Sequence, residues 1–225
     1  MAQFLESVRL LPGAVDGRPL GRWSVERWVQ SCFPHALASA KPYELGPALE
    51  VVVQDETMGR ALLEKGAPVS PAALHQLLLS RGRSVGRPMP LQKALDWFET
   101  LLGQGGDPDA QYDHLGVGPM TLLERAQSGV MPEKECVAWT ERLLALGANP
   151  NLQGHPMHGP PLELAIRHKT PDSMLALLRA GANWPGLGDD RMQHAAISVQ
   201  LAFRVFRMEE DISCAAHKAS FRRRI

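Results

Sequence analysis

Two histidines three positions apart, His155 and His158, are spaced to share a ligand. On a helix that spacing would put both imidazoles on one face, where they could hold a metal ion. Here Pro156 stands between them and Gly154 and Gly159 flank them, so the segment reads as a turn. No cysteine lies near enough in sequence to complete a ligand set, and no metal or cofactor is expected. Cys136 falls in a helix-like stretch, Glu133 to Leu146. A nucleophile needs a base and an oxyanion site. No Gly-x-Ser-x-Gly or Cys–His signature accompanies it, so core packing is the expectation for Cys136, and equally for Cys32 and Cys214. Asp107-Pro108-Asp109 and Asp189-Asp190 lack the further ligands of a calcium loop. Asp107 and Asp109 are instead expected to bond turn backbone. Gly103-Gln104-Gly105-Gly106 follows a helix rather than a strand, and no Gly-Lys-Ser/Thr follows, so no phosphate loop is read. Gly82-Arg83-Ser84-Val85-Gly86-Arg87 is basic and is kept as a contact loop.

The elements that must position these residues come from internal repetition. Leu62-Leu63-Glu64-Lys65-Gly66-Ala67, Leu101-Leu102-Gly103-Gln104-Gly105-Gly106, Leu143-Leu144-Ala145-Leu146-Gly147-Ala148 and Leu177-Leu178-Arg179-Ala180-Gly181-Ala182 share the form Leu-Leu-x-x-Gly-(Ala/Gly). Three of the four continue with Asp or Asn, at Asp107, Asn149 and Asn183. The glycines at 66, 105, 147 and 181 are 39, 42 and 34 residues apart. Each copy reads as a helix end: two leucines face a neighbour, a glycine turns left-handed to stop the helix, and Asn or Asp tolerates the turn. A unit of this size cannot bury its apolar face alone, so copies must stack.

A second helix precedes each terminator. The clearest is Pro160-Pro161-Leu162-Glu163-Leu164-Ala165-Ile166, with Pro161 in the first turn. Thr170 is an expected N-cap before Pro171, and Met174, Leu175, Leu177 and Leu178 form the apolar face of the helix that follows. In the second unit this helix falls at Pro71–Ser80 or at Leu91–Thr100, and an insertion sits around Gly129-Val130-Met131-Pro132.

Pro161-Leu162-Glu163-Leu164-Ala165 resembles the Pro-Leu-x-x-Ala core of the ankyrin repeat, and Leu143 to Asn151 resembles its Leu-Leu-x-x-Gly-Ala-x-x-Asn end. Asp113 to Leu122 resembles the hairpin finger that enters the next repeat. The resemblance covers about residues 44–187. The chain departs from the family where two intervals exceed its usual ~33 residues. It departs again where Thr121 and Glu163 replace the histidine of Thr-Pro-Leu-His. The resemblance implies an all-α helical solenoid of about four degenerate repeats, whose stacked inner helices and finger tips make a concave surface for a partner protein. The implied contact residues are Tyr112, Asp113, His114, Gln153, His155, Met157 and His158 on the fingers, and Glu124, Arg125, Arg167 and His168 on the inner helices. Small divergent ankyrin proteins occur in bacteria and some neutralise a cognate toxin. The resemblance therefore also implies a cytoplasmic immunity protein, with an adaptor or scaffold subunit as the alternative.

Both ends read as helical caps, giving three regions: a cap at 1–43, repeats at 44–187, and a cap with a basic tail at 188–225. In the first, Trp23 to Phe33 reads as a helix burying Trp28, Val29, Cys32 and Phe33. In the last, Ile197, Leu201, Val205 and Met208 form one apolar stripe, and Val199, Ala202, Phe203 and Phe206 a second. Both are expected to be buried. Lys218, Arg222, Arg223 and Arg224 make the tail basic with no acid beside them, which reads as a solvated arm.

Composition bounds the function classes. The 225 residues suffice for a core without disulfides, and 44% hydrophobic with 21% charged residues is ordinary for a globular chain. Lys plus Arg and Asp plus Glu are both 24, so the broad basic field of a nucleic-acid binder is missing. No apolar run approaches a membrane span and no secretory signal is read at the N-terminus. Three cysteines, odd in number and far apart, suit a reducing cytoplasm. An enzyme is not expected.

Overall fold

The computed structural model describes residues 37–38, 40–82, 89–113, 116, 118–129, 131–183 and 197–222, without the side chains of 81, 82 and 215–222. Nine helices carry these residues and only two short strands accompany them, so the chain is mainly α-helical. It divides into two compact units between Tyr112 and Asp113. The expected helix at 23–33, Cys32, His114, the 83–87 part of the basic loop, Asp189-Asp190 and Arg223-Arg224 lie outside the described residues.

The first unit holds α1 (Pro42–Val52), α2 (Glu56–Glu64), α3 (Pro71–Gly82), α4 (Leu91–Gly103) and the short strand β1 (Gln111–Tyr112). Local chemistry starts each of the first three helices. The Glu44 carboxylate accepts the Lys41 N–H at 2.9 Å, Asp55 accepts the Met58 N–H at 3.1 Å, and the Ser70 hydroxyl accepts the Ala73 N–H at 3.2 Å. α1 packs on α2 and α3, and α3 packs on α4. Leu49, Leu62, Leu74, Leu77, Leu78, Phe98 and Leu101 are fully buried between them. Each such side chain stabilises the unit by roughly 1.5–3 kcal/mol. Trp97 is buried with them and its indole N–H donates to the Val53 carbonyl at 2.7 Å. Both helices suggested for the second repeat form, as α3 and α4, and α4 is the one that carries the terminator.

The second unit holds β2 (Met120–Thr121), α5 (Leu122–Ala126), α6 (Glu133–Ala145), α7 (Pro161–Arg167), α8 (Pro171–Arg179) and α9 (Ile197–Arg222). The helices pair in order, α5 with α6 and α7 with α8. Across the pairs the short helices meet each other, α5 on α7, and the longer ones meet each other, α6 on α8. The unit is thus two stacked helical hairpins with α9 laid on α8. Leu122, Leu123, Trp139, Leu143, Leu162, Ala165, Met174 and Leu177 fill its core.

The four terminators are one local structure. Gly66, Gly105, Gly147 and Gly181 all take positive φ, at 86, 99, 91 and 86°. The next residue's N–H reaches back to the first leucine's carbonyl in every copy: Ala67 to Leu62 at 3.0 Å, Gly106 to Leu101 at 3.2 Å, Ala148 to Leu143 at 3.0 Å and Ala182 to Leu177 at 2.9 Å. That is a Schellman cap, in which a left-handed glycine lets two amides close on the last turn's orphan carbonyls. The first leucine of each pair is fully buried, as its place under the cap requires. The turn residues do the backbone bonding expected of them: Asp107 accepts the Asp109 N–H and Asn149 the Asn151 N–H, both at 2.9 Å.

Three expectations are amended for physical reasons. Thr170 is the N-cap residue of α8, as expected, but its hydroxyl makes no cap bond and donates instead to Gln127 Oε1 and the Ala165 carbonyl, both at 3.2 Å. Those buried acceptors need a donor, and the hydroxyl supplies it. Cys214 is exposed, not packed in a core. The third concerns α9: only its Val199–Ala202 side is buried, while Ile197, Leu201, Val205 and Met208 are exposed. Periodicity marked the apolar face, but α8 covers the opposite side.

Candidate partner-binding site

The loop between α6 and α7, residues 151–159, gathers more of the expected contact residues than any other segment. It is held at both ends and from beneath. At its start, Asn151 Nδ2 donates to the Gly181 carbonyl at 3.0 Å and Asn151 Oδ1 accepts the Asn183 N–H at 2.5 Å. At its end, Gly159 turns with φ 81° against the Glu163 side chain. In the middle, the Gly154 N–H donates to both carboxylate oxygens of Glu124 at 3.1 Å.

Glu124 is the anchor of this arrangement. Thr121 and Glu124 form a capping box that starts α5. The Thr121 hydroxyl accepts the Glu124 N–H at 3.1 Å and the Glu124 carboxylate accepts the Thr121 N–H at 2.6 Å. One buried carboxylate therefore ties a helix N-terminus to a loop thirty positions later. Burial raises its pKa above the ordinary value; the Thr121 and Gly154 N–H groups and the His158 charge pull the other way without cancelling it. Glu124 is wholly buried and has no surface to offer a partner, so the expectation of direct contact there is corrected to one of support.

Arg125 is 9% exposed and its Nε makes no hydrogen bond. Burial lowers its pKa, against the charges of Glu124 and Asp113, which raise it. Asp113 is exposed and its carboxylate accepts the Gly116 N–H at 2.7 Å and the Gly118 N–H at 3.1 Å. Gly118 takes φ 106° directly beneath the His155 ring, where a Cβ would come within 2.6 Å.

His155 organises the tip. Its Nδ1 accepts the Met157 N–H at 3.3 Å, its carbonyl accepts the His158 N–H at 3.0 Å and the Gln153 side-chain N–H at 3.2 Å. The His155 and His158 rings lie 5.8 Å apart, tilted by 59°. Met157, which stands between them, projects outward and is 80% exposed. His158 is half-buried, with Nε2 enclosed and unbonded. No protein-family model and no curated protein matches this chain. What the finger offers must therefore be read from its own geometry: a backbone tied to Glu124 and His155, an apolar Met157 at the apex, and polar Gln153 exposed beside it.

The remaining expected residues lie apart. Tyr112, in the first unit, packs its ring 5.8 Å from His75, whose Nε2 donates to the Ala110 carbonyl at 3.0 Å. Arg167 is exposed and pairs with Glu163 at 3.1 Å. His168 is exposed but lies over Gly129, and its partial desolvation there, followed by the Arg167 charge, lowers its pKa.

No metal-binding group of three His, Cys, Asp or Glu occurs among the described residues. Cys136 is buried in a polar knot that sequence reasoning missed. Its thiol donates to the Ala126 carbonyl at 3.2 Å and Gln127 Oε1 at 3.3 Å, with Ser173 Oγ at 3.3 Å, while Gln127 Nε2 donates to Thr140 Oγ1 at 2.5 Å. Burial pushes the thiol's pKa up, which keeps it protonated and a poor nucleophile. A shallow cleft of about 160 Å³ in the first unit, lined by Arg60, Leu63, Glu64, Thr100 and Gln104, gathers none of the expected site residues. No described helix is long and apolar enough to cross a membrane.

Proposed function

We propose that the chain is a degenerate ankyrin-type array whose function is the non-covalent binding of a partner protein, with the 151–159 finger as its principal contact. The observation that carries this reading is Met157, 80% exposed at the apex of a loop whose backbone is tied to Glu124 at Gly154 and to His155 at Met157 and His158. A solvent-facing methionine on a rigid support contributes nothing to the fold. It suits an apolar pocket, because thioethers adapt to irregular shapes and are enriched in interfaces. The preformed loop loses little entropy on docking, so one anchor and a few polar neighbours give useful affinity. The four matching helix ends, with short helices stacked on short and long on long in the second unit, support the repeat reading.

The test is affinity capture from the native cell lysate with the chain and with Met157→Asp as paired baits. One stoichiometric protein held by the first and lost by the second supports the proposal. Equal retention by both overturns the assignment to the finger. The captured protein's own activity then separates two roles. A protein that is toxic alone and harmless in the complex makes this chain an immunity protein. A constitutive companion makes it an adaptor subunit.

A further inference from the structure

α9 carries an apolar stripe that nothing in the finger reading uses. Leu201, Val205, Met208 and Ile212 are 54, 45, 63 and 67% exposed. Their spacings of four, three and four residues are those of a d-a-d-a seam, which aligns side chains along about 16 Å of helix. The opposite side of α9, with Val199 and Ala202, is buried, and α9 packs on α8. Patches of this kind on a soluble surface mark an interface.

The charges beside the stripe select the occupant. At 100° per residue, Arg204 and Asp211 fall on the same flank, and Glu209 on the other. Glu209 is already held by Arg179, with Nε and Nη2 donating at 3.0 and 2.7 Å. We infer that α9 pairs antiparallel with α9 of a second copy of this chain, around a two-fold axis between Phe206 and Arg207. In that register Leu201 meets Ile212 and Val205 meets Met208, each twice, so the seam is self-complementary. Arg204 then lies within reach of Asp211 of the other copy, also twice. A parallel pair would instead set Arg204 against Glu209, which Arg179 occupies. Four core layers bury less than the roughly 800 Å² per partner of a standard interface, so the dimer dissociates in the micromolar range.

Sedimentation velocity on the full chain from about 1 to about 500 µM reads this directly. The mass is expected to climb from 24.7 kDa toward twice that value. Leu201→Glu with Met208→Glu should hold it at the monomer with helicity unchanged, since both side chains are exposed. Arg204→Asp and Asp211→Arg should each weaken self-association by about tenfold, and an equimolar mixture of the two should restore it. A monomer at every wild-type concentration overturns the inference, whether the stripe is then bare, covered by residues 1–36 or reserved for another protein. Dimerisation that survives the double glutamate variant overturns it as well. An Asp211→Arg variant that dimerises normally while Arg204→Asp does not would replace the antiparallel register with a parallel one.

Discussion

Replacing Glu124 by alanine should loosen the finger and the start of α5 together. The carboxylate satisfies two amides, Thr121 N–H at 2.6 Å and Gly154 N–H at 3.1 Å. Orphaning a buried amide costs about 1–3 kcal/mol and a half-buried one less. Alanine also removes a carboxylate whose burial is itself unfavourable, as its raised pKa records. The net loss is about 2–3 kcal/mol of the second unit's stability. Hydrogen exchange should show faster exchange at Gly154, Met157 and His158 than elsewhere in that unit. The pH dependence is a sharper check. A carboxyl with a raised folded pKa binds its proton more readily folded than unfolded, so its contribution to stability grows as pH falls through the folded pKa toward 4.5. Glu124→Gln removes that titration. In urea unfolding at pH 7 and pH 5, wild type should gain on the glutamine variant at the lower pH. Wild type losing ground on acidification would show that the hydrogen bonds rather than burial dominate the titration of Glu124, and an alanine variant with unchanged stability and exchange would refute the role assigned to it.

Alanine at Gly66, Gly105, Gly147 or Gly181 meets open space, so each should cost only the left-handed penalty, about 1 kcal/mol and equal across the four in chemical denaturation. Gly59→Ala is different: its Cβ would collide with the buried Trp97 ring, and the loss should reach about 3 kcal/mol. Thiol titration of the native chain should lose a fast-reacting group in Cys214→Ser and none in Cys136→Ala, because burial raises the Cys136 pKa while Cys214 is exposed.

What could be read from the sequence was what the backbone does locally. Leu-Leu-x-x-Gly-Ala is a helix end because of glycine's left-handed freedom and two leucines under the cap, all within six residues. It appears as such four times. Pro161 and Pro171 likewise stand in first turns because a missing N–H costs nothing there. The failures involve what lies across space. The stripe from Leu201 to Met208 was visible as apolar, but periodicity does not say which face a neighbour covers. Thr121-x-x-Glu124 carried a capping-box signature that could have marked Glu124 as structural. Its bond to Gly154, thirty residues on, had no local trace. Gln127 and Thr140 joined Cys136 in a buried knot for the same reason: the partners come from different helices. In the finger, His155 and His158 stood out for their spacing, yet His155 serves the loop's own backbone and the large apolar side chain exposed there is Met157.

Paired capture with the chain and Met157→Asp tests most directly whether the 151–159 finger holds a partner protein. Met157 is exposed, so the substitution should leave the unfolding midpoint unchanged and abolish retention of one stoichiometric protein. A folded variant that retains the same protein, or a folded wild type that retains nothing at low salt, would contradict that assignment.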